Sequence, residues 1–254
     1  MPILHLIIPF LDEGSTLGTI VDRVRRCDWT DDWSARIVLV DDGSETGSAE
    51  TARELAATHG ITLLRHEVNR GKGAALRTGF VDVLRSAGED DLVGIQDADL
   101  EYDPADLPRL VDAMTSMRGP VDAVFGNRWI GERRSAIRRV HRLGNRTLTA
   151  FSNLLTGLQV SDMECCFKVM RAPMLRTILP DLDEDRFAIE PQLAAALARH
   201  GARVIEVGVS YDPRSFAEGK KIGFADGIAA IAAMLREWRR TRRFQAASRR
   251  GSAA

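Results

Sequence analysis

The sequence predicts an α/β fold: a mostly parallel sheet flanked by helices, followed by a C-terminal amphipathic helix. Two observations carry this. Short apolar runs alternate with amphipathic ones at the spacing of successive strand–helix units, which fits a parallel sheet covered on both faces. The chain also has 254 residues, 44% hydrophobic and 28% charged, enough for one large domain with at most an appendage. We expect a catalytic domain over 1–215 and a basic helix and tail over 216–254.

Each element follows from its local pattern. Residues 3–8 are apolar throughout and read as a strand. Residues 13–26 read as a helix with Leu17, Ile20, Val21 and Val24 on one face. A strand at 37–40 precedes a helix at 48–58, a strand at 61–65 precedes a helix at 73–86, and a strand at 92–96 precedes a helix at 104–117. Asp103-Pro104 is a good start for that last helix. Residues 123–126 close the series, 204–209 are sheet-like, and 224–243 form a helix. In this helix Ile228, Ile231, Met234, Leu235 and Trp238 lie near one face, and arginines crowd the C-terminal end. A basic amphipathic helix of this kind suits an anionic membrane interface, and it equally suits packing on the domain or on a second subunit.

The formal net charge of −1 hides two basic blocks. One holds Arg133, Arg134, Arg138, Arg139, Arg142 and Arg146, and the other runs from Arg236 to Arg250. The first has no interleaved aromatics, which argues against nucleic acid as a partner. Cys27, Cys165 and Cys166 match neither a disulfide framework nor a zinc spacing and fit a reducing cytosol. We expect no secretory signal, and no apolar run reaches the roughly twenty residues that span a bilayer.

Open parallel sheets bind ligands beyond the C-terminal ends of their strands. After the first strand, Pro9-Phe10-Leu11-Asp12-Glu13-Gly14 lacks the glycine fingerprint of a dinucleotide site and is acidic, which disfavours NAD chemistry. After the second, Asp41-Asp42-Gly43-Ser44 is either a plain turn or an acid that accepts hydrogen bonds from a base or ribose. After the third, Asn69-Arg70-Gly71-Lys72-Gly73 either lets a phosphate or base approach closely or is a simple glycine turn; it lacks the Walker spacing. After the fourth come Asp97, Asp99 and Glu101. In an extended chain, residues two apart share a side, so these acids would converge on one point. Gathered carboxylates suit Mg2+ or Mn2+ shared with a substrate phosphate; the alternative is an acidic loop that caps the next helix.

Together these residues resemble family 2 glycosyltransferases of the GT-A (Rossmann-like) fold, in particular the polyprenyl-phosphate (dolichol-phosphate) mannose or glucose synthases. The resemblance rests on Pro9-Phe10-Leu11-Asp12-Glu13, Val40-Asp41-Asp42-Gly43-Ser44, Asn69-Arg70-Gly71-Lys72-Gly73, Asp97-Ala98-Asp99-Leu100-Glu101 and Gly126-Asn127-Arg128-Trp129. Asp162 to Lys168, Arg186 to Pro191 and Tyr211 to Ile222 extend it in order.

The resemblance implies a nucleotide-sugar site of Pro9, Leu11, Glu13, Val40, Asp42, Lys72, Asp97, Ala98, Asp99 and Lys221. It implies Mg2+ or Mn2+ on Asp97, Asp99 and Glu101, and an acceptor phosphate held by Arg128, Arg138, Arg142 and Asn145. Asp99, Arg128 and Glu164 would be the catalytic residues. Leu11 stands where the family usually has an aromatic, Glu101 where it often has Gln, and Asn145 where a Ser is expected. The implied reaction is inverting transfer of a hexose from a nucleotide-diphosphate sugar to a lipid phosphate, by an enzyme held peripherally on the cytoplasmic face of a membrane, with a homo-oligomer allowed. A same-fold enzyme acting on a sugar hydroxyl, with Asp162 or Glu164 as base, and a non-catalytic sugar-nucleotide binder are the alternatives.

Overall fold

The structure, a computed structural model, describes residues 1–29, 33–45, 47–116, 119–130, 139–214 and 224–251. Eight of the elements match the reading above within a few residues: β1 (Ile3–Phe10), α1 (Gly14–Arg25), β2 (Ser34–Asp41), α2 (Ser48–His59), β3 (Thr62–Arg65), α3 (Lys72–Leu84), β4 (Leu92–Ile95) and β5 (Ala123–Asn127). Between the last two, the chain enters α4 (Leu107–Ser116) through a 3-10 turn at Pro104–Asp106. The Asp103 carboxylate caps that turn by accepting from Ala105 N at 3.1 Å. Then follow α5 (Arg139–Thr156), β6 (Lys168–Arg171), α6 (Ala172–Ile178), α7 (Ile189–Arg199), β7 (Val204–Gly208) and α8 (Phe224–Gly251).

The strands form one sheet in the order β3-β2-β1-β4-β6-β5-β7. β6 is antiparallel to both β4 and β5, and the other pairings are parallel. Six strands therefore end on the same edge. The order reverses at β1, which pairs with β2 on one side and β4 on the other. Loops that leave β1 and β4 diverge there and open a crevice.

Burial on both faces explains why the strands read as unbroken apolar runs. Leu4, Leu6, Ile8 and Phe10 of β1 pack with α1 and α4 on one side of the sheet. Ile7 turns the other way, into a cluster with α3, α6 and α7.

The sequence did not announce α5, β6, α6 or α7. β6 has four residues with a cation at each end, too short for an alternating pattern. In α7 every residue from Ile189 to Leu197 is buried, so no polar stripe marks it as a helix. α5 was hidden by its arginines, which suggested a charged patch.

In α8 the face that packs is not centred on the residues that hydropathy picks out. Ala230, Ala233, Met234 and Glu237 are buried, whereas Ile228, Ile231 and Leu235 are 57%, 41% and 39% exposed. The packed face uses small residues for close approach and a buried acid for registration. Glu237 accepts from Gln192 Nε2 at 3.0 Å and pairs with Arg199 of α7. A hydropathy pattern ranks such a face below the isoleucines beside it. Among the described residues, no helix is long and apolar enough to cross a membrane.

Candidate active site

The acidic stretch after β4 begins where Gln96 N makes a hydrogen bond to Ile7 O at 3.0 Å. Beyond it the chain turns. Leu100 sits in the left-handed region at φ 63°, a conformation that costs a branched residue roughly 1–3 kcal/mol. Its side chain is held against the core cluster of β1 and α4. This turn breaks the alternation that an extended strand would have, so the three acids do not converge.

Asp97 faces α3, where Lys72 Nζ lies 2.7 Å from Oδ1 and 2.9 Å from Oδ2. Asp99 Oδ1 accepts from Glu101 N at 3.0 Å. Glu101, still close enough for its charge to act on Asp99, accepts from the Tyr211 hydroxyl at 2.6 Å and from Arg214 N at 3.0 Å. For Glu101 to join the aspartates on a metal, its carboxylate would have to share or leave Tyr211 and Arg214. Among the described residues, no group of three His, Cys, Asp or Glu side chains is set to hold an ion.

What remains is a pair. Burial, and then the charges of Asp97 and Glu101, push the Asp99 carboxyl up to about 7. A cation would relieve that repulsion. Two hard carboxylates fit a divalent ion whose remaining ligands come from diphosphate oxygens and water.

After β2, Asp42 is already engaged. Its Oδ1 accepts from Arg70 N at 3.0 Å and lies 2.6 Å from His66 Nδ1, while Oδ2 accepts from Gly71 N at 2.7 Å. Asp42 thus anchors the β3–α3 loop, with His66 braced from behind by Thr78 Oγ1 at 2.9 Å. The glycines of that loop have a structural cause. Gly71 is at φ +102°, and a Cβ on it or on Gly73 would collide with the backbone oxygens of Asp185 and Glu184. The 184–186 segment of this chain makes that close approach.

Pro9 and Val40 are buried and paired in register across β1 and β2, and Ala98 is also buried. Leu11 and Glu13 are half-buried at the crevice. Arg214, to which no role was assigned from sequence, joins the stretches after β1 and β4. Its Nη1 meets Glu13 Oε2 at 3.0 Å and its Nε donates to Asp99 O at 2.7 Å.

After β5, Arg128 forks onto Asp162, with Nε at 2.7 Å and Nη2 at 2.6 Å. Its guanidinium lies over Trp129 at 5.4 Å and over Tyr211 at 5.2 Å, and Arg142 covers the same Trp129 ring at 5.2 Å. Two of the three arginines expected at an acceptor phosphate are therefore neighbours, with Asn145 three residues on in α5. Arg138 and Lys221 lie outside the described residues.

Glu164 is pushed up to about 7 by burial and then by Glu190. Glu190 and Lys168 went unassigned in the sequence. Both are buried, and Lys168 Nζ donates to Glu190 Oε2 at 2.5 Å. Both lie in segments that carry the resemblance, and each is a charge set among apolar neighbours, but neither signal names its partner.

One feature gathers these parts. Among the described residues, the buried side-chain atoms without a hydrogen-bond partner are Gln96 Oε1, Trp129 Nε1, Glu164 Oε1, Glu190 Oε1 and Arg214 Nη2. Glu190 Oε1 is still ion-paired, 3.3 Å from Lys72. Each lies on or next to the groups just described. A buried polar atom left unpaired costs about 1–3 kcal/mol, and such a concentration is what a site for a polar ligand looks like.

A family model described as glycosyl transferase family 2 matches residues 5–179. An undecaprenyl-phosphate 4-deoxy-4-formamido-L-arabinose transferase of Edwardsiella ictaluri is 32% identical over 221 residues, which is 85% of this chain and 62% of that protein. A protein of the same description from Aeromonas hydrophila is 30% identical over 86% of this chain and 62% of its own length. A dodecaprenyl-phosphate galacturonate synthase of Rhizobium johnstonii is 26% identical over 85% of this chain and 61% of its own. The chain therefore spans less than two thirds of the length of these relatives. Among solved structures, glucosyl-3-phosphoglycerate synthase from Mycobacterium tuberculosis, in complex with Mn2+, uridine diphosphate and phosphoglyceric acid, superposes with a TM-score of 0.68 at 19% identity. That alignment covers 93% of this chain and 78% of the other, and it shows the fold.

Proposed function

This chain belongs to glycosyl transferase family 2, and from that premise we propose that it transfers a sugar from a nucleotide-diphosphate donor to a polyprenyl phosphate. The observation that carries this is the position of Tyr211. Its hydroxyl holds Glu101 beside the Asp97/Asp99 pair, while its ring lies under Arg128. One side chain thus joins an anionic, metal-suited half to a cationic half, as transfer between a diphosphate and a phosphate requires.

A divalent ion on Asp97 and Asp99 would supply the charge that stabilises the departing diphosphate. The protein groups do the rest. Lys72 adds a second cation on the donor side. Arg128 and Arg142 hold the acceptor phosphate in line, and Asp162 fixes Arg128 in orientation. A lipid phosphate is already an anion at neutral pH and needs no base. Attack opposite the leaving group inverts the anomeric carbon.

The names of the relatives support a polyprenyl-phosphate acceptor. The exposed Ile228, Ile231 and Leu235 of α8, close in sequence to Arg236 and Arg239, support peripheral attachment to an anionic membrane surface.

A second reading has its own observation. Glu164, with an unpaired buried oxygen and a carboxyl near 7, is poised to take a proton from a sugar hydroxyl. The deciding experiment incubates the protein with GDP-mannose, UDP-glucose or a UDP-uronic acid, Mg2+ or Mn2+, and undecaprenyl phosphate. Glycolipid with an inverted anomeric centre is expected. Donor hydrolysis without lipid product favours the hydroxyl acceptor, and neither binding nor turnover favours a non-catalytic binder.

A further inference from the structure

Lys72 is placed between two carboxylates. Its ammonium lies 2.7 and 2.9 Å from the two oxygens of Asp97 and 3.3 Å from Glu190 Oε1. Its side chain is only 9% exposed. Glu190 cannot easily move, because it is fully enclosed and its other oxygen receives Lys168. Lys168 in turn is pinned by the backbone oxygens of Met163 and Cys165. Within this group Lys72 is the member free to shift. It is the first residue of α3, it reaches the site on a flexible four-carbon stem, and it already touches both anions.

We propose that Lys72 is a resident counter-ion of the metal site, occupying Asp97 until a divalent cation arrives, and that Glu190 is the seat to which it withdraws. This rests on the reading of Asp97 and Asp99 as the metal pair. An ammonium that covers both oxygens of Asp97 holds a positive charge where the metal's own charge would fall, so metal binding competes with it. If it had no second anion, displacement would strand a buried charge, at a cost that would oppose metal binding. Glu190, already charged and held by Lys168, removes most of that cost. The arrangement keeps the paired aspartates compensated when no donor is bound, and it makes metal capture an exchange of cations. It also leaves Lys72 beside the ion, where a diphosphate would meet both.

The test titrates Mn2+ alone against the full chain and its variants, by calorimetry or by the paramagnetic signal of free Mn2+. Lys72→Met is expected to bind Mn2+ roughly tenfold or more tightly, because the competing cation is gone. Glu190→Gln is expected to bind it several-fold more weakly, because Lys72 is then committed to Asp97. The double variant separates exchange from simple charge. With Lys72 absent, Glu190→Gln should change Mn2+ affinity little, whereas independent charge effects would add. Unchanged or weaker binding by Lys72→Met overturns the proposal, as does additivity in the double variant. If Glu190→Gln does not fold by circular dichroism, the Lys72→Met titration alone decides. Asp99→Asn separates this inference from its parent. If it removes Mn2+ binding while Lys72→Met changes nothing, only the exchange falls. If it binds Mn2+ like the wild type, the metal site itself is misassigned and both fall.

Discussion

Arg128 grips Asp162 with two guanidinium nitrogens, at 2.6 and 2.7 Å, and with its backbone N–H at 3.0 Å. Asp162 is fully buried and Arg128 nearly so. Asp162→Ala would leave a buried cation without its partner, and removing one member of such a pair typically costs about 3–5 kcal/mol. Urea unfolding should show a loss of that order. A loss below about 1 kcal/mol would mean that water or another acid replaces Asp162, and the clamp would then not be what orients Arg128.

The β3–α3 loop makes a contrasting prediction about glycine. A Cβ at Gly73 would meet backbone oxygens that cannot rotate away, whereas one at Gly18, inside α1, would meet nothing within 4 Å. Gly73→Ala should destabilise by about 1–3 kcal/mol, as overpacking does. Gly18→Ala should stabilise by about 0.5–1 kcal/mol, the usual difference in a helix interior. Thermal melts of the two variants should move in opposite directions.

Glu164 gives stability a pH dependence of known sign. Its carboxyl is raised from an ordinary 4.5 to about 7, so between these values the folded state holds a proton that the unfolded state has lost. The protein is therefore stabilised relative to the deprotonated case below that window, and this advantage disappears as the pH rises through about 7. The full effect of such a shift is on the order of 3 kcal/mol. Glu164→Gln should flatten the slope of unfolding free energy between about pH 4.5 and pH 7. The same variant separates the acceptors: turnover on a lipid phosphate should survive, and turnover on a sugar hydroxyl should collapse.

Membrane attachment through α8 predicts that faces of one helix behave differently. Ile231→Glu and Leu235→Glu alter exposed positions and should leave the melting temperature nearly unchanged. They should reduce flotation with anionic liposomes, and added salt should weaken the wild type in the same assay. Ala233→Glu, on the packed face, should instead unfold the protein. Equal flotation by the wild type and the two exposed-face variants would remove α8 as the anchor.

The sequence by itself determined the layered architecture, because strand and helix periods are local and burial on both sheet faces leaves unbroken apolar runs such as residues 3–8. It also identified the segments at the strand ends that carry chemistry, since turn-forming and acidic residues stand out against those runs. The tertiary structure decided what each side chain does there. Leu100 in a left-handed turn sends Glu101 to Tyr211 and leaves Asp97 and Asp99 as a pair. Gly71 and Gly73 are small because the 184–186 backbone rests on them, a contact more than a hundred residues away along the chain. Glu190, Lys168 and Arg214 gained their roles only when distant segments met, because a charge buried among apolar neighbours shows its partner only in three dimensions. For the same reason the pattern centred on the outward face of α8: hydropathy measures what a residue could bury, and packing with a satisfied Glu237 decided what it did bury.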